Sequence, residues 1–182
     1  MTRRVSVRLR ILLSDAGQEI IEAAIVFPLL FMLLLGIYWF GRAFNIYGTI
    51  NHAAREGARV GMVSNCASCG NIPATNAQIA TAVTQALQAS KLDPTQVQCY
   101  TPAPSPAACP GVSNPCKCDA TTSNVNICQT VQLNPSPGSS SANAVCGVTV
   151  SFQYPYQFWF PFTSLNMQQI LLKASVQHDG EQ

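Results

Sequence analysis

Three kinds of side chain here have the chemistry to act: eight cysteines, two histidines, and a glutamate at the edge of an uncharged run. The cysteines, Cys66, Cys69, Cys99, Cys109, Cys116, Cys118, Cys128 and Cys146, all fall after the first third of the chain. An even number confined to one segment reads as a disulfide framework, and the sequence does not choose among its many pairings. Cys66-Ala-Ser-Cys69 also admits a redox or zinc reading. A zinc ribbon wants a second pair of like spacing, and Cys116-Lys117-Cys118 is too short for it. A thioredoxin-like site wants its pair at the start of a helix in alternating strands and helices, which this Pro- and Asn-rich surround does not supply. Structural bridges are the expectation, with a membrane-tethered thiol oxidoreductase using Cys66 and Cys69 as a rival.

His52 and His178 are the only candidate general bases near neutral pH. No Gly-x-Ser-x-Gly elbow, His-Glu-x-x-His pair, Gly-rich phosphate loop or paired carboxylates stand near them. The chain therefore reads as a non-enzyme, with no catalytic residue, cofactor, metal or small-molecule substrate expected. Net charge is +2, and four arginines, Arg3, Arg4, Arg8 and Arg10, precede Gln18. After Ser64 only Lys91, Asp93, Lys117, Asp119, Lys173, Asp179 and Glu181 are charged, so no basic patch for nucleic acid is present.

The glutamate is Glu22, and the element that positions it is the run Ala23 to Phe40, AAIVFPLLFMLLLGIYWF. It carries no charge and is long enough to cross a bilayer as a helix. The arginines in front hold the amino terminus in the cytoplasm and send the residues after Phe40 outward, where cysteines can pair. An ordinary secretory signal is cut after its apolar run. Here Asp15-Ala16-Gly17 precedes the run, so a cut after Gly17 keeps the membrane helix and makes Gln18 the first residue and Glu22 the fifth. A carboxylate at the bilayer centre costs about 2.5–3.5 kcal/mol, so Glu22 needs the headgroup level or a partner. The partner offered by this spacing is the new amine of a neighbouring subunit; Arg42, the nearest downstream cation, lies about 30 Å along the helix. The other reading is an uncleaved signal anchor exposing a binding surface.

The helical pattern continues past the membrane through GRAFNIYGTINHAAREGARVG. Phe40, Phe44, Tyr47, Ala54, Ala58 and Gly61 recur at steps of three, four or seven and predict one stripe. Ala53, Ala54, Gly57, Ala58 and Gly61 supply a small-residue face for close packing. A helix from Gln18 to about Met62 is roughly 65–70 Å long, and Pro28 should bend it.

These residues resemble a known family. The Gly17-x(4)-Glu22 junction, the apolar run with Pro28, Phe40-Gly41-Arg42-Ala43 and Ala53-Ala54-Arg55-Glu56-Gly57-Ala58-Arg59 are similar to the amino-terminal signature of TadE-like proteins, the minor pilin-like (pseudopilin) proteins of tight-adherence pilus systems. Ala23 stands where many prepilin-type members have Tyr. The resemblance implies a subunit acting by membrane anchoring and assembly, with a prepilin-type peptidase, the membrane and other pilus-assembly subunits as partners. It implies processing at Gly17 and Gln18, an assembly role for Glu22, and residence in a bacterial inner membrane with the carboxy-terminal domain periplasmic or extracellular.

The expected organisation is a leader over 1–17, a long helix over 18–63 with its membrane part at about 20–41, and an exported disulfide-containing domain over 64–182. In that domain Thr75 or Asn76 should cap a helix whose Ile79, Ala80, Val83, Ala86 and Leu87 share one face. Strands are expected over Gln96 to Thr101, Asn126 to Leu133, Ala144 to Phe152 and Leu171 to His178. The cysteine-bearing stretch between the first two reads as an aperiodic loop. In YPYQFWFPF, from Tyr154 to Phe162, two prolines argue against a helix or a central strand. It serves either as core or as a contact to the outer leaflet or a partner. The fold class expected is α+β: a long amino-terminal helix, its first half transmembrane, plus a small antiparallel sheet with one or two packed helices, disulfide-bonded.

Overall fold

The structure, a computed structural model, describes residues 15–62, 74–111, 116–118, 123–133, 145–158 and 169–179. Two compact units divide it, residues 1–43 and 44–182. Helix α1 spans Asp15–Met62 and runs through Pro28 without interruption. The 63–73 linker, with Cys66 and Cys69, lies outside the described residues.

Within the first unit the apolar side chains of α1 face outward all round: Phe27, Phe31, Leu33 and Ile37 are each at least 60% exposed. An 18-residue window here has a mean hydropathy of 2.6 and is 0% buried, long and apolar enough to cross a membrane. An all-round apolar helix exposed among the described residues suits a non-aqueous surround.

The second unit is α+β and disulfide-bonded. Helix α2 (Asn76–Ala89) opens with a capping box: Thr75 Oγ1 accepts from the Gln78 N–H at 3.3 Å, and Gln78 Oε1 accepts from the Thr75 N–H at 2.9 Å. Two of the helix's orphan donors are so satisfied. Its buried face is Ile79, Ala80, Val83 and Leu87, four of the five residues expected there, with the fifth, Ala86, half-buried. Strands β1 (Cys116–Cys118), β2 (Asn126–Gln132), β3 (Cys146–Gln157) and β4 (Gln169–Asp179) form an antiparallel sheet in sequence order.

Alternation along β3 sorts the two sheet faces. Val148, Val150 and Phe152 point one way and are at most 4% exposed. Against them lies the carboxy-terminal half of α1, held close by its glycines. A Cβ on Gly57 would stand 2.5 Å from Val83 Cγ2 and 3.5 Å from Val150 Cγ1. One on Gly61 would stand 3.0 Å from both Ile79 Cδ1 and Val148 Cγ1. This end of α1 is thus wedged between α2 and the sheet.

Thr149, Ser151 and Gln153 point the other way and are also buried. The segment after Val97 crosses over this polar face. Tyr100 N–H donates to Asn126 Oδ1 at 2.8 Å, and Lys173 Nζ donates to the Thr101 carbonyl at 2.8 Å while lying 5.0 Å from the Tyr100 ring centre. Its far end is pinned where Cys109 N–H donates to the Thr130 carbonyl at 2.9 Å. Thr130, at φ 54°, forms the irregularity between Cys128 and Val131 in the β2–β3 ladder. The result is three layers: helices, sheet and stapled segment.

Four expectations need correction. The segment 96–101 is not a strand; Pro94–Gln96 is a 3-10 turn, and only Gln98 bridges to β3, opposite Gln153. It leaves the sheet plane to cover the polar face. Cys116–Cys118, inside the supposed aperiodic loop, is a strand. Pro155 lies within β3, which runs to Gln157. Beyond Ser151 β3 has left its register with β2, and the Gln98 bridge ends at Gln153, so at Pro155 a missing N–H costs no ladder bond on that side. Lastly, Phe44 and Tyr47 are 73% and 48% exposed, whereas Ile46, Ile50, Ala53, Ala54, Gly57, Ala58 and Gly61 form the buried stripe.

Candidate functional site

The residues with functional promise fall into two groups, and the structure places them on different elements. The first is the head of α1. Gly17 and Gln18 are helical in backbone, and Glu19 and Glu22 come within the next turn, both exposed. Carboxylates in the first turns of a helix sit near its positive end, a favourable interaction of typically about 0.3–1 kcal/mol. That is less than the roughly 2.5–3.5 kcal/mol cost of a charge at membrane depth. The dipole alone therefore does not hold Glu22 in apolar surroundings.

The other end of the exposed run carries Tyr38 and Trp39 in an edge-to-face pair at 5.4 Å, and the Arg42 guanidinium 5.8 Å from the Trp39 ring centre. Aromatic and basic side chains together suit the headgroup level of a bilayer. The apolar length of α1 is thus bounded by Glu22 on one side and by Trp39 and Arg42 on the other.

The second group is the cysteines. Three bridges join Cys99 to Cys118, Cys109 to Cys146 and Cys116 to Cys128, with Cα separations of 6.1, 6.1 and 4.0 Å. Among the described residues no cysteine is free. Each bridge ties the segment over the polar face, or the β1 strand, to the sheet. Cys116 lies opposite Cys128 in the β1–β2 register, and Cys109 and Cys146 flank the far end of β2. Cys66 and Cys69 lie outside the described residues.

The histidines are not brought into a site. His52 on α1 lies 4.0 Å from Glu56, whose other oxygen is 3.9 Å from Arg59, all on the solvent side of one helix. Such exposed pairs contribute at most about 1 kcal/mol. His178 lies on β4, opposite Val148. No group of three or more His, Cys, Asp or Glu that could hold a metal occurs among the described residues. A groove of about 590 Å³ runs between α2 and the β1–β2 end of the sheet. Thr81, Thr84, Gln85, Gln88 and Ser123 line it with neither acid nor base.

One interacting pair escaped sequence reasoning. Asp93 caps the 3-10 turn, accepting from Thr95 Oγ1 at 2.7 Å and the Thr95 N–H at 2.9 Å, and these bonds hold its carboxyl below the usual range. Tyr154, 6% exposed, meets the Asp93 region from β3. Burial pushes its phenol up, the Asp93 backbone pulls it down, and the Asp93 charge adds to the rise. The only local sign of Asp93's role is Asp-Pro-Thr, a turn sequence with a capping side chain. In the aromatic segment Tyr154 and Tyr156 are buried, and Tyr156 packs edge-to-face on the half-buried Phe158 at 4.8 Å, while Gln157 is exposed, so the two tyrosines belong to the core. Trp159 to Phe162 lie outside the described residues.

The family model described as TadE-like protein matches residues 17–59, which covers the junction at Gly17, Glu22, the apolar run and most of the buried stripe. No curated protein and no solved structure matches the chain.

Proposed function

Starting from the TadE-like segment at residues 17–59, we propose that this protein is a minor pilin-like (pseudopilin) subunit of a tight-adherence pilus assembly or secretion apparatus, acting by membrane anchoring and subunit assembly. The observation that carries the reading is α1 itself. Among the described residues most of its large apolar side chains from Ile20 to Ile37 are exposed, while its last turns are locked into the disulfide-bonded domain by Gly57 and Gly61. A helix so built joins a folded head to a lipid or helical environment.

The working cycle is set by charge. The arginine-rich leader stays cytoplasmic, α1 inserts, and the domain from residue 64 onward folds on the periplasmic or extracellular side of a bacterial inner membrane. A prepilin-type peptidase cuts between Gly17 and Gln18, creating a positive amine four residues before Glu22. Glu22 pairs with the amine of an axially shifted neighbour, which offsets the cost of holding a carboxylate at membrane depth. Opening the first turn to present the Gly17 bond costs little, since the first N–H groups of a helix have no partner within it.

The start of α1 at Asp15, upstream of Gly17, favours a second reading, an uncleaved signal anchor carrying a surface-binding domain. The mass of the membrane-extracted chain separates the two. Processing gives a mature chain beginning at Gln18, and Gly17→Leu retains the leader. Finding Arg3 to Arg10 still attached in assembled material overturns the pilin-like reading in favour of the anchor.

A further inference from the structure

We propose that the native bridges of this chain are reached by thiol–disulfide exchange, so that the protein is a substrate of an exported thiol–disulfide isomerase, a partner presenting a reactive thiolate to misbridged chains. The proposal rests on the reading above that the domain is exported. The observation behind it is the connectivity. Cys99–Cys118, Cys109–Cys146 and Cys116–Cys128 close sequence separations of 19, 37 and 12 residues. Among these six cysteines no bridge joins neighbours in chain order, and both Cys109 and Cys116 lie inside the Cys99–Cys118 loop with partners outside it.

A domain that crosses the membrane in chain order behind a cytoplasmic amino terminus cannot oxidise into that pattern in order of emergence. Cys109 meets Cys99 and then Cys116 well before Cys146 arrives. The chance of contact falls with about the 3/2 power of loop length, so Cys109 meets Cys116, seven residues away, about twelve times as often as Cys146, 37 away. First-formed bridges are therefore local and wrong. They must be exchanged before the layers close, because in the folded domain Cys128 is 0% and Cys109 5% exposed.

The exchange balances without net oxidation. The isomerase thiolate attacks a sulfur of a non-native bridge; a bond between the two proteins forms, the chain's own S–S bond breaks, and a chain thiolate leaves. That thiolate attacks a second wrong bridge, and the last chain thiolate expels the isomerase thiolate as the native bridge closes. One S–S bond breaks for each that forms. The initial bridges come from a dithiol–disulfide oxidant of the exported compartment, and exchange needs no further oxidant.

The test produces the full chain in two bacterial hosts, with and without the exported isomerase, both with the oxidant intact. Thiols are alkylated at lysis, and the bridges are mapped by mass spectrometry of unreduced peptides. With the isomerase, the three native bridges should predominate. Without it they should fall by about fivefold or more, the order of the contact bias, and Cys99–Cys109 or Cys109–Cys116 peptides should appear. An isomerase lacking its resolving cysteine should be trapped in a mixed disulfide with the chain. Native bridges formed equally in both hosts overturn the proposal and leave the export reading standing. Six free thiols in both hosts overturn the two together.

Discussion

At the scale of single residues, the clearest consequence is the meeting of Tyr154 and Asp93. Burial raises the Tyr154 phenol above its ordinary 10.0, so the folded state holds its proton at pH values where the unfolded chain has released it. With fewer protons bound in the unfolded state, stability falls as pH rises from about 10 until the folded-state value is passed. Tyr154→Phe removes this group, so the midpoint of denaturant unfolding should decline less between about pH 9 and 11 than in the parent, as followed by circular dichroism. Equal declines would mean that Tyr154 ionises as freely folded as unfolded. Asp93 has the opposite sign: its lowered carboxyl contributes stability above its usual 3.8 that is lost as pH falls further, a small contribution because the group is fully exposed. The Tyr154 effect was not legible in the sequence, because its burial and its meeting with Asp93 arise only through the fold, whereas the Asp93 cap had a local sign in Asp-Pro-Thr.

Among the elements, α1 was the most legible and also held an instructive error. Its 48 residues of helical pattern are unmistakable, and the small-residue face from Ala53 to Gly61 was readable from size alone. Of the expected stripe Ala54, Ala58 and Gly61 are buried, but its aromatic members Phe40, Phe44 and Tyr47 are exposed. The buried side is marked by Ile46 and Ile50, which continue the Ala53-Gly57-Gly61 line at helical spacing. The two kinds of glycine on this helix give a paired test. Gly57→Ala puts a methyl 2.5 Å from Val83 Cγ2 and should destabilise by about 1–3 kcal/mol through overpacking. Gly48→Ala meets nothing within 4 Å and should gain up to about 1 kcal/mol of helix propensity. Denaturant titration of both in detergent checks this, and a neutral Gly57→Ala would mean that α1 is not wedged against α2. In the sheet, β2 to β4 were legible from their Val, Ile and aromatic content. β1 was not, being three residues long and held by two cysteines, and Pro155 hid the length of β3 because its edge position is a property of topology.

For the whole molecule, the division is between a domain that completes its own core and a helix that does not. The disulfide framework was legible as an even cysteine count on one side of an apolar run, but its interlocked connectivity was not, since the pairing depends on the register of β1 and β2 and on the irregularity at Thr130. In the proposed reading, the role of Glu22 depends on neighbours outside the chain. The direct measurement is quantitative mass spectrometry of pili and pilus-assembly complexes isolated from cells carrying the parent chain, Glu22→Gln or Glu19→Gln, alongside the level of each chain in the membrane. The expected result is that Glu22→Gln is processed and inserted at the parent's level yet is depleted at least about tenfold from the assembled fraction, as loss of one partner of a partly desolvated pair requires. Glu19→Gln should remain close to the parent. Glu22→Gln recovered in the assembled fraction as fully as the parent, or the parent itself absent from that fraction, would contradict a subunit that works by assembly through Glu22.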